Sequence, residues 1–151
     1  MKIYKTLIRP VVTYGAETWS ILAGDANKLR IFERKIIRRI WGPVNENGHY
    51  RIRTNLEIEC ALENEDIVRF IKSQRMRWLG HVERMMSDRM PKKIYSSSMN
   101  GKRRKGRPRS RWLDEVEKDL KCLNKSRWKI HAADRNKWRN IVKQAKAHPG
   151  L

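Results

Sequence analysis

The sequence predicts an all-α protein, a small basic helical bundle with a flexible basic linker before a C-terminal helical pair. Apolar residues recur at helical spacing through most of its 151 positions. The breaks fall at Pro, Gly and Asn, and no run shows the two-residue alternation of a strand. Six Trp, two Phe and four Tyr supply bulky anchors for a modest core, although only 39% of the chain is hydrophobic.

Pro10 divides the apolar positions of 2–9 from those of 11–22, which predicts a kinked helix or two short ones. Asp25 is placed to cap a helix that runs to Trp41 and stops at Gly42-Pro43. Its stripe is Leu29, Phe32, Ile36 and Ile40, with Arg30, Arg34, Lys35 and Arg38 on the far side. Residues 44–54 are polar, contain Asn47-Gly48 and read as a loop. A short helix follows from about Thr54 to Leu62. A longer one begins near Glu65, where Ile67, Ile71, Gln74, Trp78, Val82 and Met85 keep one face toward a core. Residues 1–86 are thus one helical unit.

Over 87–109 the periodicity fails. Pro91, Ser96-Ser97-Ser98, Asn100-Gly101 and a run of cations read as a flexible basic linker. A helical pair over 110–148 closes the chain. Ser110 is placed to cap its first helix, with Leu113, Val116, Leu120 and Leu123 as the stripe. The second starts near Ser126, turns Trp128, His131, Trp138, Val142 and Ala145 inward, and ends at His148-Pro149-Gly150.

Lys and Arg outnumber Asp and Glu by 36 to 16, a net charge of +20. Every segment is basic, and the excess peaks at Gly101–Arg111, with seven cations in eleven residues and no acid. Like charges in such a run repel and stay extended until counter-charge arrives. Nucleic acid supplies it densely and releases counterions on contact. The residues expected to touch phosphate are Arg34, Lys35 and Arg38 on one helix and Arg75 and Arg77 on another. Lys102, Arg103, Arg104, Lys105, Arg107, Arg109 and Arg111 join them in the basic run.

Catalysis by this chain alone is not expected. A two-metal polymerase or nuclease gathers carboxylates around ions roughly 4 Å apart. The six aspartates here include no Asp-Asp pair and no Asp-x-Asp. Glu63 and Glu65-Asp66 read as a patch at a helix start. The four His and two Cys never reach zinc-ligand spacing, and no Gly-rich phosphate loop occurs, so neither metal nor cofactor is expected. His81, at the border of an apolar stripe, reads as a packed or hydrogen-bonded structural histidine, with nucleic-acid contact as the alternative. Most of the Trp residues read as core anchors rather than stacking platforms, and Trp19 is harder to place.

Cys60 and Cys122 lie far apart and outside any CxxC pair, and are expected to be reduced thiols, with a disulfide as the alternative. No apolar stretch approaches the roughly 20 residues that span a bilayer. The first residues lack the apolar core of a signal peptide. A soluble intracellular protein, nuclear or cytoplasmic, without a membrane partner, is the expectation.

Two short patterns extend the reading. Lys105-Gly106-Arg107-Pro108-Arg109 resembles the core of an AT-hook, with lysine where the hook prefers arginine. Five ordered blocks resemble the region that follows the catalytic palm in non-LTR (LINE-type) retrotransposon reverse transcriptases. They are Leu7–Trp19, Phe32–Gly42, Arg75–Met85, Gly106-Arg107-Pro108 running into Arg111-Trp112, and Ala133-Asp134-Arg135 with Trp138-Arg139. Together they cover almost the whole chain.

The resemblance implies a thumb and C-terminal region that holds template–primer or RNA by its backbone. The family's (Phe/Tyr)-Ala-Asp-Asp box and its endonuclease are not in this sequence. The expected partner is therefore nucleic acid (RNA, RNA–DNA hybrid or DNA), together with a polymerase palm if another chain supplies one. A protein-docking scaffold and a retroelement remnant without selected function stand as the alternatives.

Overall fold

The computed structural model describes residues 1–63, 65–97, 111–148 and 150–151. The architecture is mainly helical, as the periodicity predicts. A π-helical stretch, Tyr4–Ile8, runs into α1, Arg9–Val12, with Pro10 in its first turn, where its missing N–H costs nothing. A single 3₁₀ turn at Ala16–Thr18 leads to α2, Ala23–Trp41. Asp25 does not cap α2. It lies in the first turn, where its charge suits the helix dipole, and Leu22 holds the cap position. Gly42, at φ 69°, ends the helix.

Residues 44–54 correct the sequence reading. Val44–Glu46 (β1) and His49–Arg51 (β2) pair as an antiparallel hairpin, with Val44 opposite Arg51. Asn47 (φ 52°) and Gly48 (φ 89°) both take positive φ, the turn that matches the twist of a two-residue hairpin loop. Arg51 grips Glu46 on β1 and Glu57 on the next helix. That helix, α3 (Asn55–Ala61), starts with a complete capping box between Thr54 and Glu57.

The central element is α4, Ile67–Glu83, capped by Asp66. It is buried on more than one stripe: Ile67, Val68, Ile71, Met76, Leu79, Gly80 and Val82 are all inside. Two partners explain this width. Its first half packs on Ala16, Ile21, Ala26 and Leu29, and its second half on the C-terminal helices. On α2 the expected residues Leu29, Ile36 and Ile40 pack against the cores, but Glu33 and Ile37 lie innermost, beside Tyr4, Ile58 and Leu62.

Part of the segment read as a linker is helical. α5, Met90–Ser96, places Pro91 at its second position, where proline starts a helix instead of breaking one. The basic run Lys102–Arg109 and the expected cap Ser110 lie outside the described residues, and Arg111 holds the cap position of the next helix. The expected stripe of α6, Trp112–Cys122, holds: Val116, Leu120 and Leu123 are buried and Leu113 packs on them. The last expected helix is two, α7 (Trp128–Ala133) and α8 (Arg135–Ala147). They divide at Asp134, whose carboxylate accepts from the Asn136 and Lys137 N–H groups at 2.8 and 3.1 Å.

Buried polar contacts tie these pieces. The Glu33 carboxylate accepts from the Tyr4 hydroxyl at 2.6 Å and from the Ile67 N–H at 2.9 Å. It thereby joins the N-terminal stretch, α2 and the start of α4. Burial pushes the Glu33 carboxyl above its ordinary pKa against the pull of these two donors. Arg9 bonds Glu65 at 3.0 Å and covers the Phe70 ring at 4.0 Å. Trp112 Nε1 donates to the Glu17 carbonyl at 2.7 Å, and Lys72 pairs with Asp119 at 2.8 Å. The C-terminal helices and α4 share one core, a packing that the sequence left open.

Trp138 is the tightest contact. Its Nε1 donates to the Met76 carbonyl at 2.9 Å, and its indole lies flush on Gly80. A Cβ on Gly80 would stand 2.6 Å from Trp138 Cε2. Gly80→Ala should therefore destabilise the protein by roughly 1–3 kcal/mol through overpacking. Thermal melting checks this, at about 2–4 °C per kcal/mol for a chain of this size, and an unchanged melt would refute the close packing.

The hairpin yields a second expectation. Arg51 first, then the Thr54 backbone N–H, holds the Glu57 carboxyl at about 2, below its ordinary 4.5. A depressed acid contributes stability above its unfolded pKa and loses it as pH falls through the folded value. The stabilisation by the Glu57 anchor should thus be full above about pH 4.5, decline as the pH falls below that value and be gone below about pH 2. Carboxyl NMR titration checks the Glu57 pKa, which Arg51→Ala should return toward its ordinary range.

Candidate nucleic-acid interface

Two cation-lined surfaces stand out. The first forms where α2 meets the hairpin. Lys35, Arg38 and Arg39 follow one another along the last turns of α2, and the chain returns after β2 to place Arg53 beside them. Phe32, Ile36 and Ile52 line the same open groove, and none of the described residues lining it is acidic. Its arginines are oriented. Arg38 Nε donates to the Arg53 carbonyl at 2.9 Å and its Nη2 to Asn55 Oδ1 at 2.6 Å. Arg53 Nε donates to the Gly42 carbonyl at 3.1 Å, with its guanidinium 5.3 Å from the Trp41 ring. A guanidinium carries five donors, so each retains N–H groups for an incoming oxygen.

The second surface lies between α4 and α8. Arg77 and Arg84 from α4 and Arg135 and Arg139 from α8 surround Trp78 and His81 in a cavity of about 390 Å³. An adjoining hollow shares His81, Arg84 and Arg135 and adds Arg89. Five arginines therefore converge, and none of the described residues lining either hollow is acidic. Arg84 Nη1 is fixed on the Ala132 carbonyl at 2.6 Å. Burial, and then the charge of Arg135, lowers the Arg84 pKa. Like charges held together without a counter-charge are an anion site in electrostatic terms.

The residues expected at phosphate fall out unevenly. Lys35 and Arg38 line the α2 groove, while Arg34 pairs with Glu59 at 3.1 Å. Arg77 is exposed at the α4–α8 cavity. Arg111 is exposed at the start of α6, and Lys102, Arg103, Arg104, Lys105, Arg107 and Arg109 lie outside the described residues.

Arg75 is the correction. It is 1% exposed, with Nη1 3.8 Å from Glu115 and Nη2 3.4 Å from the Trp112 carbonyl. It lies one turn before Leu79 on the buried side of a helix that is enclosed by two cores, so it faces inward while Arg77 faces out. Burial lowers its pKa against the pull of Asp119 and Glu115.

His81 is a second correction. It is exposed, and its ring lies 5.5 Å from that of Trp78, tilted by 44°. Trp128 and Trp138 are core anchors as expected, whereas Trp78 is only half-buried.

Sequence reasoning missed Arg39, Arg53, Arg84, Arg89, Arg135 and Arg139 as members of these surfaces. Spacing held part of the signal. Arg77 and Arg84 are seven apart, and Arg135 and Arg139 four apart, so each pair shares a helix face. That the two faces meet is a tertiary fact. Among the described residues, no cluster of three or more His, Cys, Asp or Glu could hold a metal ion. Among them, too, no helix is long and apolar enough to cross a membrane.

Comparison with known proteins gives one relationship. The chain is 24% identical over 150 residues to an uncharacterised transposon-derived protein of Caenorhabditis elegans. The match takes in 95% of this chain and 54% of that protein, so the chain spans about half the length of the curated relative it matches. No family model and no solved structure matches.

Proposed function

We propose that this chain is a sequence-tolerant nucleic-acid-binding module, the thumb and C-terminal region of a LINE-type reverse transcriptase, without catalysis of its own. The observation that carries the reading is the convergence of Arg77, Arg84, Arg89, Arg135 and Arg139 without an acid. Five guanidiniums gathered without an acid repel one another, and phosphate relieves that repulsion. The likeness to a transposon-derived protein supports the lineage. So does a coincidence of position. The Arg75–Met85 block lies in and just after α4, and the Arg135, Trp138-Arg139 block in α8, the two helices that form the cavity.

Contacts of this kind fix a strand's position without reading its bases. RNA and RNA–DNA hybrids are recognised largely through shape, phosphates and 2′-hydroxyls, which suits a surface of oriented arginines. The Asp-Asp box of the resembled polymerases is not in this sequence, so the module would hold template–primer for a palm carried elsewhere.

Binding to labelled RNA–DNA hybrid, duplex DNA and single strands across a salt series tests the proposal. With roughly six phosphates neutralised, log affinity should fall with log salt at a slope near −5. Replacing Arg77, Arg135 and Arg139 together by Ala should weaken binding to every sequence alike and flatten the slope by about 3. Salt-independent affinity, or a triple variant that binds as the parent does, would overturn it.

A further inference from the structure

We infer that the α4–α8 cavity takes an unpaired nucleotide, its base stacked on Trp78 and its phosphates held by the surrounding arginines. The module would then recognise single-stranded ends or gaps within the nucleic acid it binds. This rests on the reading above and narrows it. A duplex backbone needs only a cationic surface, and the α2 groove is of that kind, its cations set among Phe32, Ile36 and Ile52. The α4–α8 site is concave, and its 390 Å³ falls in the range of roughly 300–1,000 Å³ typical of small-ligand sites.

Its aromatic content sets it further apart. Trp138 is 2% exposed and its N–H is committed to the Met76 carbonyl. Trp78 and His81 are the rings with surface to offer, side by side at 5.5 Å. A half-buried indole among arginines combines the two terms of single-strand binding, a π face for any base and cations for the backbone. The adjoining hollow, which shares Arg84 and Arg135 and reaches Arg89, continues the cationic track in the way flanking phosphates require.

The test compares three ligands of equal phosphate number at one salt concentration, by fluorescence anisotropy. They are a blunt duplex, a duplex with an unpaired overhang, and a single strand, with RNA and DNA versions of the overhang. The overhang should bind about tenfold more tightly than the blunt duplex. Trp78→Ala should abolish that gain, about tenfold for one base stack of roughly 1–3 kcal/mol, and weaken blunt-duplex binding by much less. Trp78→Phe should keep most of the gain.

A second measurement does not depend on any variant folding. An overhang carrying 5-iodouridine is photo-crosslinked to the unaltered protein, and the modified peptide should contain Trp78 or His81. No gain for the overhang, equal loss on both ligands in Trp78→Ala, or crosslinks only elsewhere would overturn the inference. Those results leave the broader proposal standing if duplex binding still depends on Arg77, Arg135 and Arg139. Loss of that dependence would overturn both.

Discussion

The seating of the Trp138 indole on Gly80 is the contact on which the rest of the molecule depends. It brings α8 as close to α4 as a missing side chain permits, and the indole N–H locks the register by donating to the Met76 carbonyl. Residues one position away from the seat inherit its consequences. Met76, Leu79 and Gly80 face the core, so Arg77 and His81 emerge on the adjoining side, toward Arg135 and Arg139. The cavity is thus a by-product of helix geometry around one close approach. The repulsion this creates is about 1 kcal/mol per exposed pair at contact distance in water. Burial of Ile141 and Val142 contributes about 1.5–3 kcal/mol for each side chain against it.

The same competition explains where the acids are. Glu33 joins three segments in the interior, Glu65 and Asp66 hold Arg9 and Arg30, and Asp119 and Glu115 attend Lys72 and Arg75. Glu59, Glu46 and Glu57 fasten Arg34 and Arg51 around α3 and the hairpin. Structure thus engages half of a small acidic complement, and the pairs of Glu65, Asp66 and Asp119 are partly shielded and therefore worth more than surface pairs. Among the described residues, groups of cations with no acid lining the same surface occur at the α2 groove and the α4–α8 cavity. A chain with 16 acids and 36 cations that folds this way must present acid-free basic surfaces.

How far the sequence foretold this depends on where each signal resides. Helical periodicity is local, so the α6 stripe of Val116, Leu120 and Leu123 and the stop at Gly42 were readable. The hairpin was not, because strands of three residues are too short to show alternation, and only Asn47-Gly48 hinted at it. Pro91 and Asp134 misled in opposite directions. The proline starts α5 instead of breaking it, and the aspartate divides an apparently continuous helix by capping its second half. Arg75 failed for a third reason. A helix buried on two sides has no single stripe from which an outward face can be deduced, so a cation near its edge can belong to either. The α4–α8 cavity was legible only as two separate charge pairs, since their meeting depends on Gly80 and Trp138, which lie 58 positions apart.

The two cationic surfaces suit different steps of one encounter. The net charge of +20 acts over a Debye length, about 10 Å at 0.1 M salt. Under the proposed function it would draw any polyanion in and discriminate little. Under the proposed function the α2 groove, with cations among Phe32, Ile36 and Ile52 and Trp41 beside Arg53, would add contacts to backbone phosphates. The α4–α8 cavity has the same charges around a partly open indole, and stacking acts only at contact, where salt does not screen it. Affinity for duplex would then come mostly from terms that salt weakens, and discrimination for unpaired nucleotides from one that it spares. The balance between the two is set at Trp78, a residue whose spacing on α4 reads as core and whose exposure shows that the core is complete without it.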